Sequence, residues 1–141
     1  MNTKVADVMV ANVVTVQPHH SAEHVRKLLN KHGFQVVPVI GPANEPVGIL
    51  SISDLIRDDH APGTPVSHFM TKKVFTVPKY EGVHVAARIM RNHSIHHVVV
   101  THEQQIVGIL SAFDLLRLVE DHRFVMKNPP TTSKKNAHND R

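Results

Sequence analysis

The apolar residues Ala22, Val25, Leu28 and Leu29 recur at intervals of three and four, the stripe of an amphipathic helix. Ser21 precedes the stripe as a plausible N-cap and Gly33 follows it as a stop, so a helix is predicted to reach about His32. Shorter apolar runs surround it. Val13–Val16 is a β-rich run, Val36–Ile40 reads as a buried strand, and Val47–Ser51 as a further strand. Pro38 has no N–H to donate, which marks an edge or an unpaired amide in the second run. Gly41-Pro42-Ala43-Asn44 between the strands is turn chemistry. Ser53 is placed to cap a short helix running through Arg57. The pattern is β-α-β-β-α.

The same pattern occurs a second time. Val8-Met9 and Val14-Thr15-Val16 recur 61 positions later as Phe69-Met70 and Phe75-Thr76-Val77. The helical stripe maps at that offset onto Val83, Ala86, Ile89 and Met90. Gly48-Ile49-Leu50-Ser51 and Asp54-Leu55 return 60 positions later as Gly108-Ile109-Leu110-Ser111 and Asp114-Leu115, so one loop residue was lost between the copies. The second copy predicts elements at 74–77, 82–93, 97–100, 106–111 and 113–122, after a linker at His60–Pro65. A unit of about 60 residues is marginal alone. The expected fold is therefore α+β: two tandem repeats, 1–60 and 61–126, packed with pseudo-two-fold symmetry into one globular module. The two helical stripes exceed what one thin sheet layer covers, so a two-fold homodimer is expected as well.

Composition changes this picture in three places. The net charge of +4 suggests a nucleic-acid binder until the charges are located. Residues 127–141 hold Lys127, Lys134, Lys135 and Arg141 against Asp140, so the body is close to neutral and no basic face for phosphate backbones is indicated. That polar tail has no apolar period and is expected to be disordered. Aromatics make up 4% with no Trp, which argues against stacking platforms for single strands. The absence of Cys excludes disulfides, thiolate zinc sites and cysteine nucleophiles. No apolar stretch of membrane-spanning length and no secretory leader is seen, so a cytoplasmic protein is expected.

Both copies carry Gly-apolar-apolar-Ser-x-x-Asp-Leu, at Gly48, Ser51, Asp54, Leu55 and at Gly108, Ser111, Asp114, Leu115. A strand ends at the Ser and a helix begins at once, so free amides and the helix dipole favour an anion there. An Asp beside it can accept hydrogen bonds from the hydroxyls of a ribose, and the Ser hydroxyl can donate to a phosphate or sugar. The same spacing is equally a capping box, whose duty is only to satisfy the amides of the helix start.

The repeat, the Thr-Val stretches at Thr15–Pro18 and Thr76–Lys79, the Val-Val-Pro-Val strand and the doubled motif together resemble a CBS domain pair, over roughly residues 4–122. The resemblance implies a regulatory module whose two clefts accept AMP, ADP, ATP, S-adenosylmethionine or dinucleotides, and which dimerises into a flat disc through its helices. It implies no required cofactor. One cleft would take Ser111, Phe113 and Asp114 from the second copy with Asn12, Val13, Phe34, Gln35 and Val36 from the first. The other would take Ser51, Ser53 and Asp54 with Lys73, Val74, Ile95, His96 and His97. Ribose would go to the Asp, and phosphate to the Ser, with His96 and His97 near it. Val36 opposite His97 predicts unequal clefts, and Phe113 before Asp114, in place of a small residue, is expected to crowd its own site.

Thirteen histidines invite a metal reading: His20 and His24 are spaced i, i+4, and His93, His96 and His97 cluster. No carboxylate or thiol accompanies them at ligand spacing, and His102-Glu103-Gln104-Gln105-Ile106 lacks the second His of a zincin. There is no nucleophile elbow, Walker loop or dinucleotide glycine motif, so no enzyme is expected. The leading expectation is an adenosine-ligand sensor acting on a separate effector protein. A ligand-free dimerisation or adaptor module and a histidine-based metal or pH sensor are the alternatives.

Overall fold

The structure, a computed structural model, describes residues 2–57 and 60–122; the expected tail at 127–141 lies outside the described residues. The first repeat holds helix α2 (Ala22–His32), strands β1 (Val36–Ile40) and β2 (Pro46–Ser51), and helix α3 (Ile52–Arg57). The second holds β3 (Thr76–Pro78), α4 (Val83–His93), β4 (His97–His102), β5 (Gln105–Ser111) and α5 (Ala112–Asp121). Helix α2 is bounded as its residues dictate: the Ser21 hydroxyl accepts from His24 N at 3.1 Å, and Gly33 ends it at φ 67°. Ser94 does the same for α4 at φ 54°, without glycine's freedom.

The two sheets are not equal. β4 pairs with β5 antiparallel and with β3 parallel, whereas β1 pairs antiparallel with β2 alone. The predicted strand at Val13–Val16 is reduced to one parallel bridge between Val16 and Val39. Pro38 explains the difference. Its counterpart Val99 donates its amide to Phe75 O at 3.0 Å, and a proline cannot make that bond to Val14.

Two short segments lie outside the predicted elements. Helix α1 (Val5–Val8) opens the first repeat, and a 3-10 turn (Val66–His68) opens the second. Each packs on the other repeat. Val5 and Val8 belong to the core of Val77, Val83, Ala86, Val98, Val100 and Leu110, while Val66 joins that of Val16, Val25, Leu29, Val37 and Leu50. Main-chain bonds fix the exchange: Val5 N donates to Glu81 O at 2.8 Å and Val66 N to His20 O at 2.8 Å. Val10 bridges Ile109, and Thr71 bridges Ile49, so each arm also flanks the other repeat's last strand. Gly108 and Gly48 sit under those arms, where a Cβ would strike Met9 or Met70.

The stripes expected to reach a second copy are buried within the chain itself. Ala22, Val25, Leu29, Val83, Ala86 and Met90 are core residues, and Leu28 and Ile89 are half-buried against the same cores, so most of each stripe is covered within the chain. Instead Ile56, Phe113, Leu116 and Val119 are exposed by 55–79% along the last helix of each repeat.

Candidate functional site

The two Ser-x-x-Asp motifs end β2 and β5 and start α3 and α5. Both are reciprocal caps. Asp114 N donates to Ser111 Oγ at 3.0 Å and Ser111 N to Asp114 Oδ2 at 2.9 Å; the equivalent bonds of Ser51 and Asp54 measure 3.1 and 2.9 Å. A further helix-start amide is taken across the repeat: Ala112 N donates to His96 O at 2.8 Å, and Ile52 N to Gln35 O at 2.9 Å. Capping therefore uses these groups, but it does not exhaust them. A hydroxyl that accepts can still donate, and a carboxylate offers about four acceptor positions.

Around the motifs the repeats leave two clefts. The first is bounded by Asn12, Val13, Phe34, Gln35 and Val36 from one repeat and Ser111 and Asp114 from the other, enclosing about 150 Å³. The second brings Ser51 and Asp54 together with Lys73, Val74, Ile95 and His97 and encloses about 420 Å³. Each thus joins a strand-to-helix corner of one repeat to two segments of the other, the combination that the resemblance implies.

Three predicted residues stand elsewhere. Phe113 is 79% exposed and faces Leu116 and Val119 on the outer side of α5, so it does not crowd the first cleft. Ser53 is exposed, with its hydroxyl 2.8 Å from that of Ser51; it supports the cap instead of forming it. The His96 side chain points to solvent, and only its carbonyl serves the site. Sequence reasoning missed Val10 and Ile109 in the first cleft and Ile49 and Thr71 in the second. These are the cross-repeat bridge partners, and the signal available was their shared repeat register.

His97 lines both clefts. Burial pushes its pKa down, the neighbouring His96 pushes it further, and Asp114 acts in the opposite sense. At neutral pH it presents a neutral imidazole to either side. Among the described residues, no group of three or more His, Asp or Glu is arranged to hold a metal ion. His19, His20 and His24 pack ring against ring at 4.8 and 4.6 Å, and His20 Nδ1 accepts from Gln17 N at 2.9 Å. No helix of the described residues is long and apolar enough to cross a membrane.

The family model of the CBS domain matches residues 5–60 and again residues 66–121. The chain belongs to the CBS domain family. It is 28% identical over 123 residues to a homoserine O-acetyltransferase of Methanosalsum zhilinae, covering 86% of this chain and only 25% of that protein. It is 26% identical over 117 residues to the CBS domain-containing protein YhcV of Bacillus subtilis, covering 80% of this chain and 83% of the relative. The CBS domain pair of protein MJ0100, solved with 5-methylthioadenosine and S-adenosyl-L-methionine, superposes with a TM-score of 0.78 at 26% identity, over 85% of this chain and 98% of that one. CBSX2, solved with AMP, shares the fold with a TM-score of 0.75 at 24% identity, over 83% and 96% of the two chains. The CBS repeats seen here thus form a CBS domain pair, a regulatory module.

Proposed function

We propose that this CBS pair senses adenosine-containing ligands in its two inter-repeat clefts and transmits their binding to an effector protein. The observation that carries the reading is the construction of each cleft from both repeats, with a Ser–Asp corner on one side and a main-chain segment on the other. A ligand there touches both halves, so its binding energy acts on their relative placement. The similarity to the MJ0100 pair, whose structure holds two adenosine compounds, supports the ligand class. AMP, ATP and S-adenosylmethionine are the compounds to try first.

Thermal denaturation with each ligand tests this. A ligand at 100 times its Kd stabilises by about 2.7 kcal/mol. Asp114→Asn keeps a carbonyl acceptor for the cap and changes the carboxylate offered to ribose, so it should leave ligand-free stability near wild type and lower ligand affinity. Asp114→Ala removes the acceptor of the Ser111 amide in the capping box and should cost about 0.5–1.5 kcal/mol without ligand, the net worth of one hydrogen bond. Absence of any shift with all three ligands would refute the reading in favour of a ligand-free adaptor.

Dimerisation belongs to the same proposal, with the surface revised. Phe113, Leu116 and Val119 form an exposed apolar face on α5, and Ile56, the equivalent of Leu116 in the first repeat, is exposed on α3. A Leu116→Glu, Phe113→Glu variant should be monomeric by light scattering where the wild-type chain is a dimer; a monomeric wild type would remove this part.

A further inference from the structure

The clefts descend from one ancestral unit, yet the residues at their mouths have diverged. At the 61-residue offset, Asn12 becomes Lys73, Val14 becomes Phe75 and Phe34 becomes Ile95. The Lys73 ammonium lies 5.4 Å from the centroid of the Phe75 ring, which places a positive charge beside the second cleft. Val14 offers the first cleft no such platform.

The charges follow. Among the described residues, the second cleft is lined by one carboxylate, Asp54, and one ammonium, Lys73. The first has the Asp114 carboxylate and no lysine or arginine. His97 is common to both, so it does not distinguish them. The helix starts do not separate the clefts, because the Ile52 and Asp54 amides of α3 and the Ala112 and Asp114 amides of α5 have equivalent partners. Size points the same way as charge, at about 150 Å³ against about 420 Å³.

We propose that the clefts sort adenosine compounds by charge: the Lys73 cleft takes a phosphorylated nucleotide, and the Asn12–Phe34 cleft takes an uncharged nucleoside. This rests on the adenosine-binding reading above. A phosphate dianion entering the first cleft meets the Asp114 carboxylate with no lysine or arginine in the lining, whereas in the second it meets a cation able to give a charge-assisted hydrogen bond. The uncharged nucleoside loses nothing by the missing cation and gains the face of Phe34, which is 38% exposed and stacked on His32 at 5.1 Å.

Isothermal titration of the full chain with adenosine and with AMP tests the sorting. Saturation with AMP should leave one adenosine site per chain open. Lys73 is exposed, so Lys73→Gln is expected to fold, to weaken AMP about tenfold or more, and to leave adenosine affinity within about twofold. Asn12→Lys should raise AMP stoichiometry from one to two per chain. Competition of adenosine and AMP for a single site, or equal weakening of both by Lys73→Gln, overturns the sorting while adenosine binding stands. If neither compound binds, the sensor reading falls and the sorting falls with it.

Discussion

Truncating Val5 should weaken the repeat to which it is not joined in sequence. Val5 is fully buried in α1, at the start of the first repeat, among Val77, Val83, Ala86, Val98, Val100 and Leu110 of the second. Val5→Ala removes two methyl groups from this packing, and each buried methyl deletion costs about 0.5–1.5 kcal/mol, so the loss is about 1–3 kcal/mol. The better helix propensity of alanine offsets a few tenths of that. Against a total stability of about 5–15 kcal/mol for a domain of this size, the change is large and the chain still folds. Native-state hydrogen exchange locates it. Amides of β4 and β5 should exchange about 5- to 150-fold faster, while those of β1 and β2 change little. Val66→Ala should give the mirror image, because Val66 is fully buried in the core of the first repeat. Equal losses in both sheets for both variants would show a single cooperative core and refute the reasoning; so would losses that follow sequence adjacency.

Three further outcomes follow from local geometry. Gly108→Ala should cost about 1–3 kcal/mol in urea titrations, and more than Gly48→Ala. A Cβ at 108 lies 3.0 Å from the Val10 carbonyl, which is fixed by its bond from Ile109 N, whereas one at 48 meets only the Met70 side chain, which can rotate away. Ser94→Gly should raise stability by about 0.5–1 kcal/mol, because a left-handed serine costs more than the extra freedom glycine brings to the unfolded chain. His97 and His20 both titrate below the usual 6.5 in the folded chain. The unfolded state therefore binds more protons as pH falls through 6.5, so stability is full above that value and declines below it until the folded groups themselves protonate. His97→Gln should flatten this acid limb, and an NMR titration placing His97 above 6.5 would contradict the cause assigned to it.

The elements with strong local signals were legible in the residues. The three- and four-residue stripe with Ser21 and Gly33 at its ends placed α2, and the repeat register then placed α4 and the strands of the second copy. Pro38 was read as an unpaired amide, but its effect lay on another segment, since the bond it cannot make is the one that would have turned Val13–Val16 into a strand. The cap of α3 is Ser51, three residues before its Asp, and Ser53 only supports it. Which arm packs on which core had no signal at all in periodicity, because Val5 and Val66 are apolar wherever they are buried. For the same reason the buried stripes were credited with a dimer surface. The cleft residues carried over by resemblance were brought together except at the helix-start residues Phe113 and Ser53 and at His96, whose side chains are exposed outside the clefts.

The exchange of arms between the repeats has a consequence in mass action. A chain holding a single repeat would lack the segment that seals its own core, and two such chains would have to lend arms to each other to reach the same packing. Its folded fraction would then rise and fall with dilution. In the tandem chain the complementary arm is tethered, at an effective concentration of order millimolar for a short linker. Assembly of the clefts thereby becomes a property of one molecule, and only ligand concentration remains to vary.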